Sequence, residues 1–253
     1  MISADGNLTE MLYLYDHYLK EFEAIVLEIP DNRSVVLDKT ALYPRGGGQP
    51  SDKGWLVVEG GKKLTVMESS KDHDKVTHFF SEDLSPEELS KLKGSTIKGV
   101  VDWELRYKHM RHHTALHILS GVVYHEFGSR ITGGQIYPER ARLDFTLDDL
   151  SKERLGIIEA DMNRIVSENR DVKTFWLGAE EALQKKELYR LSADLLPKGL
   201  DKLRIVDIVG FDAQLDGGTH VSKTGEIGRI SISKTENKGK DNKRIEIVLA
   251  PGN

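Results

Sequence analysis

The chain has 253 residues, a formal net charge of −5 and no cysteine. With 38% hydrophobic and 30% charged residues it suits a soluble globular protein of one large or two ordinary domains. Disulfides and thiolate metal ligands are excluded; there is no apolar run of about 18 residues to span a membrane and no secretory signal pattern at the N-terminus, so a cytoplasmic location is expected.

The first hundred residues read mainly as strands. "FEAIVLEI", "SVVLDKT", "WLVVEG", "KLTVMES", "KVTHFF" and "STIKGVVD" are short, rich in β-branched residues and separated by Gly, Asn and Asp turns. Their regular spacing predicts a small antiparallel barrel or sandwich. One short helix, "SPEELSKLK", announces itself by Ser85 as N-cap, Pro86 at the first helical position and Glu88 completing a capping box.

The pattern changes near residue 103. From Glu104 to Phe127 the apolar positions Leu116, Leu119, Val123 and Phe127 recur at helical spacing, and "SKERLGIIEADMNRIVSEN" aligns Leu155, Ile158, Met162 and Ile165 on one face of a second helix. "GAEEALQKKEL" predicts a third. Strands "RARLDFTL", "VKTFWL", "LRIVDIV", "GRISISK" and "KRIEIVL" lie between and after these helices, and "SKTENKGKDNKR" reads as a polar hairpin loop between the last two strands. The predicted fold class is α+β, with a β-barrel-like domain over 1–103 and an α+β domain over 104–253.

Charge is distributed unevenly. Residues 91–142 hold nine Lys/Arg against four Asp/Glu, and residues 222–244 hold seven against three. A polyanion feels local patches more than the total, because salt screens charges beyond about 8–10 Å. Charge therefore permits a nucleic-acid partner without requiring one.

Two constellations offer chemistry. In "MRHHTALHILSG", His113 and His117 stand four apart on one helix face, where two imidazoles can address a common ion. His109 and His113 share that spacing, so the pair alone is a weak signal. "DGGTH" supplies Asp216 and His220, again four apart, around Gly217 and Gly218, which permit positive φ and a tight turn that folds both side chains toward one point. Two ligands plus two meet the four-coordinate requirement of zinc. A glycine turn with an exposed histidine and a capping aspartate is the structural alternative. "PRGGGQPSD" lacks the Lys-Ser/Thr pair of a nucleotide-binding P-loop. Its Gly46, Gly47 and Gly48 can bring backbone N–H groups to a phosphate, with Arg45 beside them, or form a plain turn between strands. Tyr43 either stacks on a base or fills the barrel.

"HTALH", followed about a hundred residues later by "DGGTHVSKTGEIG", resembles the editing domain shared by alanyl-tRNA synthetases and their free-standing relatives, the AlaX proteins, which read HxxxH and then CxxxH within a CGGTHV…TGEIG stretch. "ALYPRGGGQPSDKGWL" resembles the family's glycine-rich motif, "TGGQIYPERARLDF" looks like the segment ending in an Arg-x-Asp-Phe strand, and "MLYLYDHYLKEFEAIVLEI" has the look of a medium-length AlaX N-terminus. The resemblance runs through nearly the whole chain in the family's order, so a free-standing form with neither an aminoacylation domain nor a long C-terminal extension is expected.

The resemblance implies trans-editing: hydrolysis of the aminoacyl ester of mischarged tRNA(Ala), with Ser-tRNA(Ala) as substrate and Gly-tRNA(Ala) left open as a second one, at a metal site of His113, His117, Asp216 and His220. It implies Zn2+ as cofactor, but Asp216 stands where the family has cysteine. Losing the soft thiolate shifts preference toward harder divalent ions. Three roles of Asp216 remain open: a carboxylate ligand, a bystander whose place water takes, or the mark of a degenerate site. Thr132 falls where the resemblance puts a hydroxyl close to the substrate, and Gln135 is a candidate to orient a water or carbonyl. Arg45, Gly46, Gly47 and Gly48 are candidate tRNA contacts, and no carboxylate stands out as general base. The expected partner is mischarged tRNA(Ala), with neither membrane nor DNA; a homodimer is compatible with the sequence but not derivable from it. The competing functions are an inactive tRNA-binding module and a deacylase for another aminoacyl-tRNA.

Overall fold

The computed structural model describes residues 8–185, 188, 190 and 201–251. They group into two compact units, the first drawn from Met1–Gly46 and Pro50–Tyr107, the second from Gly47–Gln49 and Lys108–Asn253.

The first unit contains β1 (Glu10–Met11), β2 (Glu21–Asp31), β3 (Ser34–Leu37), β4 (Lys39–Thr40), β5 (Gly54–Val57), β6 (Lys63–Asp72), β7 (Lys75–Phe80), α1 (Pro86–Leu92) and β8 (Thr96–Val101). Six of these strands close a barrel in the order β2-β3-β7-β6-β5-β8, antiparallel at every seam, while β1 and β4 form a separate parallel pair. The alternation read in the sequence fills the interior: Phe22, Ala24, Val26, Leu56, Leu64, Val66 and Ile97 are buried together. α1 starts as its capping box dictates, with Ser85 Oγ accepting from Glu88 N–H and the Glu88 carboxylate accepting from Ser85 N–H. Tyr43 fills space: it is 6% exposed and meets Tyr13 edge-on at 5.2 Å.

A buried ion pair organises this unit's loop ends. Asp52 accepts from Arg106 Nε at 2.8 and 2.9 Å and from Arg106 Nη2, and it also accepts from Tyr43 N–H at 2.6 Å. Arg106 Nη1 donates to the His17 carbonyl at 3.0 Å. Every charge there is paired, which is what makes complete burial tolerable.

The second unit begins within α2 (Trp103–Phe127), whose middle turns carry the histidines; it adds β9 (Ile131–Ile136), β10 (Ala141–Phe145), α3 (Lys152–Ser167), β11 (Val172–Gly178), α4 (Ala179–Gln184), β12 (Lys202–Ile208), β13 (Asp212–Leu215), β14 (Ile230–Gly239) and β15 (Asn242–Leu249). Two antiparallel sheets result, β14-β15-β10-β9 and β11-β12-β13. α3 lies against β14, pinned where Asn163 brackets the Ile230 backbone and Glu159 accepts from Ile232 N–H.

Several expectations change. In α2 the apolar positions read at helical spacing do not mark a single buried face, since residues 109–123 are all buried; a helix enclosed all round carries no single apolar face. The lysine-rich tract is mostly strand, with β14 and β15 paired out to Gly239↔Asn242. β9 and β13 were not foreseen. α4 is shorter than "GAEEALQKKEL", of which Lys186 and Glu187 lie outside the described residues. Among the described residues no helix is long and apolar enough to cross a membrane.

Candidate metal centre

α2 and the loop after β13 meet at four side chains. His113, His117, Asp216 and His220 each offer one ligand atom, and these atoms all lie within 4.8 Å of one another. Asp216 Oδ1 is 3.3 Å from His113 Nε2 and 4.0 Å from His117 Nε2, and Asp216 Oδ2 is 2.9 Å from His220 Nε2. Ligands at about 2.05 Å from one tetrahedral ion stand about 3.3 Å apart, so these separations bracket the value a shared ion needs. The residues present fit a divalent cation held by three nitrogens and one oxygen. His109 and His112 are also buried, but neither belongs to the group.

The loop reaches the helix without the left-handed backbone expected of it. Neither Gly217 nor Gly218 has positive φ. Gly218 is needed instead for close approach: a Cβ there would stand 2.3 Å from His113 Cε1 and 2.8 Å from Gln49 Oε1. The turn is held by Asp216 Oδ2, which accepts from Gly218 N–H at 2.6 Å, and by Arg204, which donates to the carbonyls of Asp216 and Gly218 at 3.0 Å each.

The electrostatics suit ligation. Burial works against the charge on Asp216, but the adjacent His113 and His220 rings outweigh it, holding the carboxyl well below its ordinary range. Burial, partly offset by Asp216, pushes His117 down to about 3. Burial and then repulsion from His113 push His220 well below its usual value. Near neutral pH the carboxylate is therefore charged and these two imidazoles are neutral, the protonation states a metal requires.

Beside the cluster lies a cavity of about 120 Å3 whose lining includes His113, His117 and Asp216, the apolar Leu116 and Ile136, and Gln135. That is somewhat less than the roughly 150 Å3 of an apolar cavity that takes a benzene ring, so it has room for a group of a few non-hydrogen atoms. Gly47 and Gly48 also line it, and both have positive φ (56° and 83°). Gly48 packs on β9, its carbonyl accepting from Ile136 N–H at 2.8 Å and Gln135 Nε2 at 3.1 Å. Thr132 does not line the cavity; its hydroxyl donates to Asn242 Oδ1 at 3.2 Å. Arg45 and Gly46 belong to the first unit, where Arg45 is 72% exposed and faces Glu68 at 3.4 Å.

Comparison with known proteins follows the same line. Residues 9–105 match the model of class II (A) tRNA synthetases, and residues 203–246 match the second additional domain of threonyl and alanyl tRNA synthetases. The alanyl-tRNA editing protein AlaX-M of Methanosarcina acetivorans is 38% identical over 243 residues, covering 96% of this chain and 99% of its own. That of Saccharolobus solfataricus is 41% identical over 245 residues, covering 96% and 100%. The chain belongs to the AlaX-M family of alanyl-tRNA editing proteins. AlaX-M resemblance also extends to a larger enzyme: the alanine–tRNA ligase of Pyrococcus furiosus is 40% identical over 232 residues, 90% of this chain but 24% of the ligase.

Reading the sequence of this AlaX-M member missed the residues around the four. Gln49 closes the glycine-rich motif and bonds to His113 Nδ1 at 2.9 Å; Thr114 lies between the two helix histidines and bonds to His220 Nδ1 at 3.1 Å. Ser120 and Gln214, bonded to each other at 2.9 Å, line the cavity. Gln49 was visible as the residue ending Gly-Gly-Gly-Gln, but its partners are too distant along the chain for spacing to reveal them.

Proposed function

We propose that this protein is a metal-dependent aminoacyl-tRNA hydrolase that clears mischarged tRNA(Ala) in trans, cleaving the ester of Ser-tRNA(Ala) and Gly-tRNA(Ala). The observation that carries this reading is the convergence of His113, His117, Asp216 and His220 on one point at the wall of a small cavity, in a chain of the AlaX-M family. AlaX-M relatives are named alanyl-tRNA editing proteins, and the matched synthetase domains point to tRNA as the partner.

The need for such an activity is physical. A synthetase pocket built for alanine cannot exclude glycine by size and rejects the added hydroxyl of serine only modestly, so a second site must hydrolyse the mistakes. A bound divalent ion, zinc or a harder ion favoured by the Asp216 carboxylate, supplies Lewis-acid chemistry for attack of water on the ester carbonyl. The protein's own residues do the rest. Asp216 brings the anionic ligand. His113, His117 and His220 bring the nitrogens, and Leu116 and Ile136 give the cavity an apolar wall. Gln135 lines the cavity and is the better placed of the two expected substrate residues; Thr132 stands outside that lining, with its hydroxyl bonded to Asn242. The exposed ion pair of Arg45 is worth little, so this guanidinium is available to a tRNA phosphate, with Gly46, Gly47 and Gly48 beside it in sequence.

The test is deacylation of seryl-, glycyl- and alanyl-tRNA(Ala) with and without chelator. Ser-tRNA(Ala) should be cleaved and Ala-tRNA(Ala) spared, chelator should stop the reaction, and His113→Ala or His220→Ala should remove both metal and activity. Retention of full activity in those variants rejects the metal assignment. Salt-sensitive tRNA binding without hydrolysis by metal-replete protein would identify an inactive tRNA-binding module instead.

A further inference from the structure

Gln49 and Thr114 touch the ligand histidines from outside, and the backbone settles which way each hydrogen bond runs. Gln49 is completely buried. Its Oε1 lies 3.1 Å from Thr219 N, a group that can only donate, so this atom is the amide oxygen, and Nε2 donates to Thr219 Oγ1 at 2.9 Å. The same oxygen is 2.9 Å from His113 Nδ1, which must therefore carry a hydrogen. Thr114 gives its one hydroxyl hydrogen to the Met110 carbonyl at 3.0 Å and accepts from Val221 N–H at 3.2 Å. Its remaining capacity is as an acceptor, so His220 Nδ1, 3.1 Å away, is a donor as well.

With both Nδ1 atoms engaged as donors, the atoms turned toward Asp216 are Nε2 of His113 at 3.3 Å and Nε2 of His220 at 2.9 Å. We propose that Gln49 and Thr114 are positioning residues that hold His113 and His220 with Nδ1 protonated, so that both Nε2 lone pairs are presented to a single cation. This rests on the metal-dependent reading given above. The same two side chains register the loop on the helix, because Gln49 bonds Thr219 and Thr114 bonds Val221, the neighbours of His220 on either side. Partners of this kind fix ring orientation and raise ligand basicity. Among the described residues His117 has no such anchor, and its buried Nδ1 meets no hydrogen-bond partner.

The experiment measures zinc affinity of the full-length protein by competition with a chromophoric chelator, for wild type, Gln49→Ala, Gln49→Glu, Thr114→Val and Thr114→Ser. Gln49→Ala and Thr114→Val should each bind zinc about 10–100-fold more weakly, whereas Gln49→Glu and Thr114→Ser, which keep an acceptor oxygen, should recover most of the loss. Ring-nitrogen NMR of the wild type should show hydrogen-bonded Nδ1–H on His113 and His220. Unchanged zinc affinity in folded Gln49→Ala and Thr114→Val overturns the proposal, and so does a proton on Nε2 with bare Nδ1 in either ring. If the wild type binds no zinc, the metal reading falls, while the NMR spectrum still decides the tautomers. The wild-type spectrum also decides if a variant does not fold.

Discussion

Adding one methyl group at position 218 measures how closely the loop is fitted to its histidine. In Gly218→Ala the new Cβ would meet His113 Cε1 at 2.3 Å, Nδ1 at 2.4 Å and Gln49 Oε1 at 2.8 Å, against ordinary contacts of 3.4–4 Å. About 1 Å of relief is needed, and the ring cannot supply it without breaking the 2.9 Å bond from His113 Nδ1 to Gln49. Overpacking of this kind costs about 1–3 kcal/mol, and a chain of this size loses about 2–4 °C of Tm per kcal/mol. Moving a ligand ring should also weaken zinc binding by about 10–100-fold, the range seen when a ligand's supporting contacts are lost. Gly217→Ala is the matched control: no atom lies within 4 Å of its Cβ and its φ is not positive. It should leave zinc affinity unchanged and stability level or raised by about 0.4–1 kcal/mol. Thermal unfolding and chelator competition on the two variants side by side give the answer. Equal behaviour of the pair would refute the argument that His113 is clamped between Gln49 and the loop.

Replacing Asp216 alters the donor set directly: Asp216→Cys should shift preference from manganese toward zinc, and Asp216→Asn, which removes the anionic oxygen, should weaken both, as read by competitive metal titration. Stability should fall in mild acid. Burial lowers His78 to about 4 from an ordinary 6.5, so between these values the unfolded chain binds the proton that the folded chain refuses. The His78 contribution is complete above about pH 6.5 and declines by about 1.4 kcal/mol per pH unit below it. Urea unfolding at pH 7.5 and 5.5 should show at least this slope, because buried His117 and His220 add to it in the same direction, and His78→Gln should remove about one histidine's share. Asp52→Ala should cost about 3–5 kcal/mol in the same assay, because it strands the buried Arg106 guanidinium without its carboxylate.

The barrel strands and the start of α1 were legible because their causes are local. Alternating side chains and a Ser-Pro-x-Glu start specify those elements wherever the rest of the chain goes. β9 was not legible: Gly133 and Gly134 have little strand propensity, and pairing with β10 overrides it. The tract from Ser233 to Arg244 reads as a loop because its side chains are polar. Apart from the turn at Lys240 and Asp241 it is strand, because the β15 ladder continues and an exposed antiparallel pair tolerates polar side chains.

The four ligand candidates could be named from two short motifs, since four-residue spacing on a helix or around a turn is itself a geometric statement. By itself, then, the sequence determined the barrel, the capped helix and the two halves of the site. Tertiary structure alone decided that the halves meet, that Gly218 serves close packing rather than a left-handed turn, and that Gln49 reaches Thr219 across 170 positions of sequence. The physical reason is one of range: propensity, capping and periodicity act over a few residues, whereas the direction of a buried hydrogen bond is fixed by whichever distant backbone group folding brings alongside.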